Sequence, residues 1–222
     1  MRPAAPVRVL AARLIPGADP ALCQAPGLEG IWPSLALLSA DCDDATYIAL
    51  DEATKVSPVC VAYARSLYAG AANASTPLAG EVLGILAGPS PSEVSSGLQA
   101  AIAALESGSL GFRPASEEGP ACYLAHVVSR TGSFLSREAS VPEGTPLAYL
   151  IAPPLEAVYG LDAAMKAAQI HLVRFYGPPT ETNFGGGLLA GTQSACLAAC
   201  QAFAQAVEDV AAAPLAPGPG YR

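Results

Sequence analysis

Positive charge is what this chain lacks most. Its 222 residues hold eleven Lys and Arg against nineteen Asp and Glu, and only 14% of residues are charged. Lys55 and Lys166 are the only lysines, and the net charge is −8. With so few cations no basic patch can neutralise phosphates, so nucleic acid is excluded as an expected partner. A basic membrane-surface helix is excluded for the same reason. No uninterrupted apolar run reaches the roughly 18 to 20 residues of a membrane span, and prolines at 3, 6 and 16 interrupt the N-terminal stretch where a leader's apolar region would lie. The chain therefore reads as soluble and cytoplasmic, with no membrane partner.

Other absences narrow the chemistry. None of the six cysteines (23, 42, 60, 122, 196 and 200) forms a C-x-x-C pair, so no zinc module is expected. Cys196 and Cys200 share one helix face with Phe203, Val207 and Val210, and read as buried core thiols. The two histidines, His126 and His171, lie in apolar strands and read as core or interface residues. "SRTGS" (129–133) offers hydroxyls but no nucleophile elbow. "NFGGGLLAGTQS" has neither P-loop nor dinucleotide-fold spacing; its glycines read as sites of close backbone approach. No catalytic residue is assigned, and an enzyme is not expected.

What is abundant is apolar surface. Hydrophobic residues make up 52%, and mean hydropathy is +0.37. That exceeds what one small core uses, and large subunit interfaces account for the excess.

The sequence also contains itself twice. "LDEATK" (50–55) returns as "LDAAMK" (161–166), "SLALLSAD" pairs with "PLAYLIAP", and "VRVLAARLI" pairs loosely with "CYLAHVVSR". "EVLGILAGPSPSEV…" is answered by "GGLLAGTQSACL…". The offset is 111 at Leu50/Leu161 and 103 at Gly88/Gly191, so the first copy carries about eight extra residues in the loop "AGAANASTPLAG". Each copy predicts strand, strand, helix, strand, strand and long helix. In the first copy these are 7–15, 35–39, 45–56, 59–64, 82–87 and 91–106. In the second they are 122–128, 148–152, 155–168, 170–175, 187–190 and 193–210. Ser90-Pro91-Ser92-Glu93 marks a helix start and Gly108 a stop. The expectation is two tandem α/β (α+β) domains, 1–112 and 113–212, each a four-stranded sheet with two helices. Residues 213–222 form a Pro/Gly-rich tail.

One acidic cluster breaks the repeat. "SADCDDATYIALDEATK" (39–55) holds Asp41, Asp43, Asp44, Asp51 and Glu52. Asp51 has a counterpart in Asp162 and reads as an exposed scaffold charge pairing with Lys55 at i, i+4. "DCDD" has none, since the second copy reads "APPLEAV" there. Asp44 is the expected helix cap, which leaves Asp43 free to point elsewhere. Glu81, at the end of the extended loop, is a second acid at a strand edge. Such a pair could hold an ammonium group.

The duplicated unit, with "ARSLYAGAA", "AGEVL", "LAHVVSRTGS", "AYLIAPPLEAVYGLDAAMK" and "PPTETNFGGGLLAGTQSAC", resembles the EutL-type tandem-domain shell proteins of ethanolamine-utilisation bacterial microcompartments. The likeness runs from about residue 7 to 212. It implies permuted microcompartment domains, a homotrimer forming a flat pseudohexameric tile, and other shell proteins as partners. It implies no chemistry on substrate. It also implies a gated central pore and small pores within each subunit that bind ethanolamine. Carried onto this sequence, Asp43 and Glu81 meet the ammonium, with Phe112, Thr182 and Asn183 nearby. The loop from Tyr68 to Ser75, with Ala69, Gly70, Ala71, Ala72 and Asn73, is the expected gate. Asn73 stands where a metal contact would need histidine, and no metal or cofactor is expected. The competing readings are a tandem-domain metabolite sensor without lattice assembly, and an enzyme of unrecognised type.

Overall fold

The computed structural model describes residues 1–24, 32–66, 82–178, 180 and 183–215. The chain divides into two compact units. The first comprises Pro6–Gly111 with Arg130–Thr145. The second comprises Met1–Ala5, Phe112–Ser129 and the chain from Pro146 on. This differs from a single crossing at 112/113, because the segment 130–145 leaves the second copy and packs with the first.

The first unit contains β1 (Val9–Ile15), α1 (Pro20–Cys23), β2 (Ser34–Ala40), α2 (Asp43–Val56), β3 (Cys60–Ser66), β4 (Val82–Gly88), α3 (Pro91–Glu106) and α4 (Ser133–Ala139). Its antiparallel sheet runs β1-β2-β4-β3. The start of α3 is the predicted one: Ser90 Oγ accepts from Glu93 N at 3.4 Å and donates to the Glu93 carboxylate at 2.9 Å. Gly108 follows with φ +73°, a conformation that glycine adopts without Cβ strain. Leu50 and Leu86, on α2 and β4, are fully buried in this core.

The second unit contains β5 (Arg113–Pro114), β6 (Ala121–Val128), β7 (Leu147–Ala152), α5 (Pro154–Ala167), β8 (Ile170–Tyr176), β9 (Gly185–Gly191) and α6 (Gln193–Ala212). The sheet order is β5-β6-β7-β9-β8. The expected four strands are present, and the two-residue β5 adds a fifth at the edge. The core joins Tyr123, Leu150, Leu161, Leu189, Cys196, Cys200 and Phe203. Glycine spacing serves this core directly. A Cβ on Gly160 would sit 2.7 Å from the Phe203 ring, and one on Gly186 would meet the Leu150 carbonyl at 1.9 Å. The "GGG" run thus permits strand approach, as its composition predicts.

The duplication extends to register. β3 against β4 carries an irregularity between Val61 and Tyr63, and β8 against β9 carries one between Leu172 and Arg174, the matching positions of the repeat. Pairing of Ala36 with Leu86 likewise recurs as Ala148 with Leu189.

Candidate functional site

The acidic stretch opens α2, and its four aspartates have four different environments. Asp41 precedes the helix. Its carboxylate accepts from Arg8 N and Arg8 Nε, both at 2.8 Å, and so clips the start of β1 to the end of β2. The N-cap is Cys42, with no side-chain cap bond, rather than the expected Asp44. Asp43 and Asp44 are the first two helical residues, and both are buried. Carboxylates there are favoured by the unpaired N–H groups of the first turn.

Asp43 is held in a defined orientation. One carboxylate oxygen accepts from Asp44 N at 2.8 Å, and the other accepts from Ser66 Oγ at 2.6 Å. The Tyr47 hydroxyl lies 2.6 Å from Ser66 Oγ. Ser66 has one hydroxyl proton and gives it to Asp43, so Tyr47 donates to Ser66. The two hydroxyls form a chain directed at the carboxylate. Ser66 is the last residue of β3.

Asp51 is not the exposed charge its i, i+4 pattern predicts. It is fully buried. The expected Lys55 pair does form, at 3.2 Å, with Lys55 also 2.6 Å from Glu52. The burial comes from α4, whose opening N–H groups have no side-chain cap of their own. Asp51 accepts from Gly132 N at 2.7 Å and Leu135 N at 2.8 Å, while Thr54 Oγ1 accepts from Ser133 N at 3.1 Å. The helix is therefore capped by α2. Only glycine fits at 132, since a Cβ there would lie 2.1 Å from Thr54 Oγ1. In the second copy the matching pair, Asp162 and Lys166, bonds at 2.6 Å on the exposed face of α5, as expected. Sequence reading missed α4; the glycine in "SRTGS" was its one visible sign.

The remaining expected site residues are distributed as follows. Phe112 and Asn183 belong to the second unit, Asp43 to the first. The Phe112 ring lies 5.3 Å from that of Phe184. Asn183 adopts φ +62° and donates its N–H to the Thr180 carbonyl at 3.1 Å, in a turn that Thr180 closes onto Phe184 O. Glu81, Thr182 and the loop from Tyr68 to Ser75 lie outside the described residues.

Among the described residues no group of three or more His, Cys, Asp or Glu could hold a metal ion, and no helix is long and apolar enough to cross a membrane. Cys196 and Cys200 are fully buried, as their spacing predicts, whereas Val210 is half-buried. Burial first, and Cys196 second, push the Cys200 thiol up to about 12, so it stays protonated and unreactive at neutral pH. Burial, then the 2.8 Å hydrogen bond to Glu208, raises Tyr123 above the usual phenol range. His126 is half-buried and His171 exposed in the single chain.

No family model matches the sequence. Individual proteins do. The chain is 59% identical over 207 residues to the bacterial microcompartment shell protein EutL of Clostridium perfringens, covering 93% of this chain and 95% of that protein. It is 55% identical over 182 residues to EutL of Salmonella typhimurium, covering 82% and 83%. The crystal structure of ethanolamine utilization protein EutL from Leptotrichia buccalis superposes with TM-score 0.92 at 57% identity, over 97% of this chain and 100% of that one. The trimeric shell protein PduB shares the fold alone, with TM-score 0.74 at 17% identity, over 92% and 89%. With these identities over nearly its whole length, the chain belongs to the EutL family of bacterial microcompartment shell proteins, and is a structural shell component rather than an enzyme.

Proposed function

We propose that three copies of this chain form a flat tile of an ethanolamine-utilising microcompartment shell, with a gated central pore and a small amine site in each subunit. The observation that carries the amine site is Asp43. A buried carboxylate oriented by a serine, a tyrosine and a backbone N–H favours a compact cation over a neutral solute of the same size. Ethanolamine, protonated at neutral pH, has that charge and also a hydroxyl to hydrogen-bond. Glu81 would supply the second carboxylate, and Phe112, Thr182 and Asn183 the remaining wall. The gate is the loop at Tyr68, Ala69, Gly70, Ala71, Ala72 and Asn73, where small residues let the backbone swing at little steric cost.

Light scattering tests the tile: a trimer of the 22.3 kDa chain has a mass of about 67 kDa. A stable monomer would move a metabolite-sensor reading to the front. Calorimetry with ethanolamine tests the site. Asp43→Asn keeps the volume and removes the charge, so it is expected to weaken binding about tenfold or more while the assembled mass is unchanged. Equal affinity in both proteins would sink the small-pore assignment.

A further inference from the structure

The acidic start of α2 has an internal control, because the second copy of the repeat folds the matching elements without it. At the offset that pairs Leu50 with Leu161, Asp43, Tyr47 and Ser66 fall on Pro154, Val158 and Gly177. The irregularities at Val61/Tyr63 and Leu172/Arg174 keep that offset through β3 and β8. All three polar side chains are therefore missing together from the second copy, and α5 and β8 still form. In the first copy the three are joined. The Tyr47 hydroxyl lies 2.6 Å from Ser66 Oγ, and Ser66 Oγ donates to Asp43 at 2.6 Å. The fold of a repeat does not need this chain of hydroxyls. A carboxylate at 6% exposure is costly to bury, and the first copy carries one together with the two residues that orient it.

The direction of the chain decides what it can hold. Ser66 directs its one proton to one oxygen of Asp43, and Asp44 N directs its own to the other at 2.8 Å. Each oxygen is pinned by a donor, so the acceptor directions of the carboxylate are fixed. A ligand with N–H groups can match fixed acceptor directions. A quaternary ammonium has no N–H and is held by charge alone, or by a cage of aromatic faces. The aromatic pair beside the hydroxyl chain is engaged otherwise. The Tyr47 and Phe134 rings lie 6.3 Å apart and tilted, and the Arg137 guanidinium already stands 6.0 Å from the centre of the Phe134 ring. Of the residues proposed for the amine site only Phe112 is aromatic, and one ring is not a cage.

On the amine-site reading of Asp43, we infer that Tyr47 and Ser66 are positioning residues that make the site selective for an ammonium bearing N–H groups over its N-methylated forms. Ser66 acts through Asp43, and Tyr47 acts through Ser66. Without the Tyr47 hydroxyl, Ser66 still donates to Asp43 but loses the second bond that holds it. Without the Ser66 hydroxyl, one carboxylate oxygen loses that donor and its acceptor directions relax. A ligand bound by directional hydrogen bonds loses more from this than one held by charge alone.

The test is calorimetry on the full-length chain at neutral pH. The probes are ethanolamine, its N-methyl and N,N-dimethyl forms, and choline, all of them cations there. Affinity is expected to fall with each methyl group, leaving ethanolamine at least about tenfold tighter than choline. Ser66→Ala is expected to reduce that ratio to about threefold or less, and Tyr47→Phe to reduce it part of the way. The ratio is the decisive readout, because a general loosening of α2 or β3 weakens all four amines alike. Tyr47→Phe also separates positioning from steric relief, since the hydroxyl it removes lies against Ser66. If Ser66→Ala loses its native far-ultraviolet spectrum, Tyr47→Phe alone decides. A wild-type chain that binds choline as tightly as ethanolamine, or variants that keep the wild-type ratio, would overturn the inference and leave the amine site standing. A wild-type chain that binds none of the four would overturn both.

Discussion

Asp51 and Asp162 occupy the same place in a repeated hexapeptide, and one is buried and the other exposed. In both copies the local pattern is acid, then lysine four residues on, and in both the pair forms. Pattern alone cannot say whether a third element lies on top. The expected cost of substitution follows the environment. Asp51→Ala strands two buried N–H groups and leaves Lys55 with Glu52 alone, and is expected to lower stability by about 2–4 kcal/mol. Asp162→Ala, measured in dissociated chains, is expected to cost less than about 1 kcal/mol. Urea denaturation of both variants checks the contrast, and equal losses would contradict it. Gly132→Ala forces a methyl group into Thr54 Oγ1 and the Asp51 carbonyl, the latter 2.7 Å from the new carbon. A loss of about 2 kcal/mol or more is expected by the same measurement. Asp43 was legible as the odd acid out. Its hydroxyl chain was not, since Ser66 lies 23 residues away at the end of β3.

At the scale of elements, strands and long helices fall where apolar runs, capping residues and glycine stops place them. α4 was missed because seven residues carry too little periodicity to register, and its N-terminal cap comes from another helix. Packing in the second unit turns on α5 against α6. Phe203→Ala, which vacates the space that Gly160 leaves for the ring, is expected to cost about 3–5 kcal/mol. The pH dependence has a definite sign. A thiol whose folded pKa is raised keeps its proton longer in the folded state, so the unfolded chain loses protons first as pH rises. The Cys200 contribution is present below the ordinary thiol value of 9.0 and is lost as pH rises from there towards about 12. Tyr123, also raised, acts in the same direction at higher pH. Thermal melts are expected to show a falling Tm from pH 9 to 11. A Cys200→Ala chain is expected to fall less steeply, and an unchanged slope would remove the thiol from the account.

For the whole molecule, apolar excess and acidic charge act against each other. Hydrophobic residues make up 52% of the chain, and exposed apolar side chains on α5 and β8, Leu172 and Phe175 among them, leave area for association. A net charge of −8 per chain makes like tiles repel. Salt screens that repulsion within about 10 Å at 0.1 M. Association beyond the proposed trimer is therefore expected to rise between low and moderate salt, followed by sedimentation. A fall would mean that ion pairs join the tile rims.

The sequence by itself determined the duplication, the order of strands and helices, the buried thiols of α6 and the family likeness, because all of these are written in local spacing or in residues compared one by one. Tertiary structure alone decided which copy of the repeated helix is covered, which aspartate caps the neighbouring helix, and that residues 130–145 pack with the first unit. Burial and hydrogen-bond partnership depend on segments distant in the chain. Two identical local patterns can therefore meet opposite surroundings, and here they do.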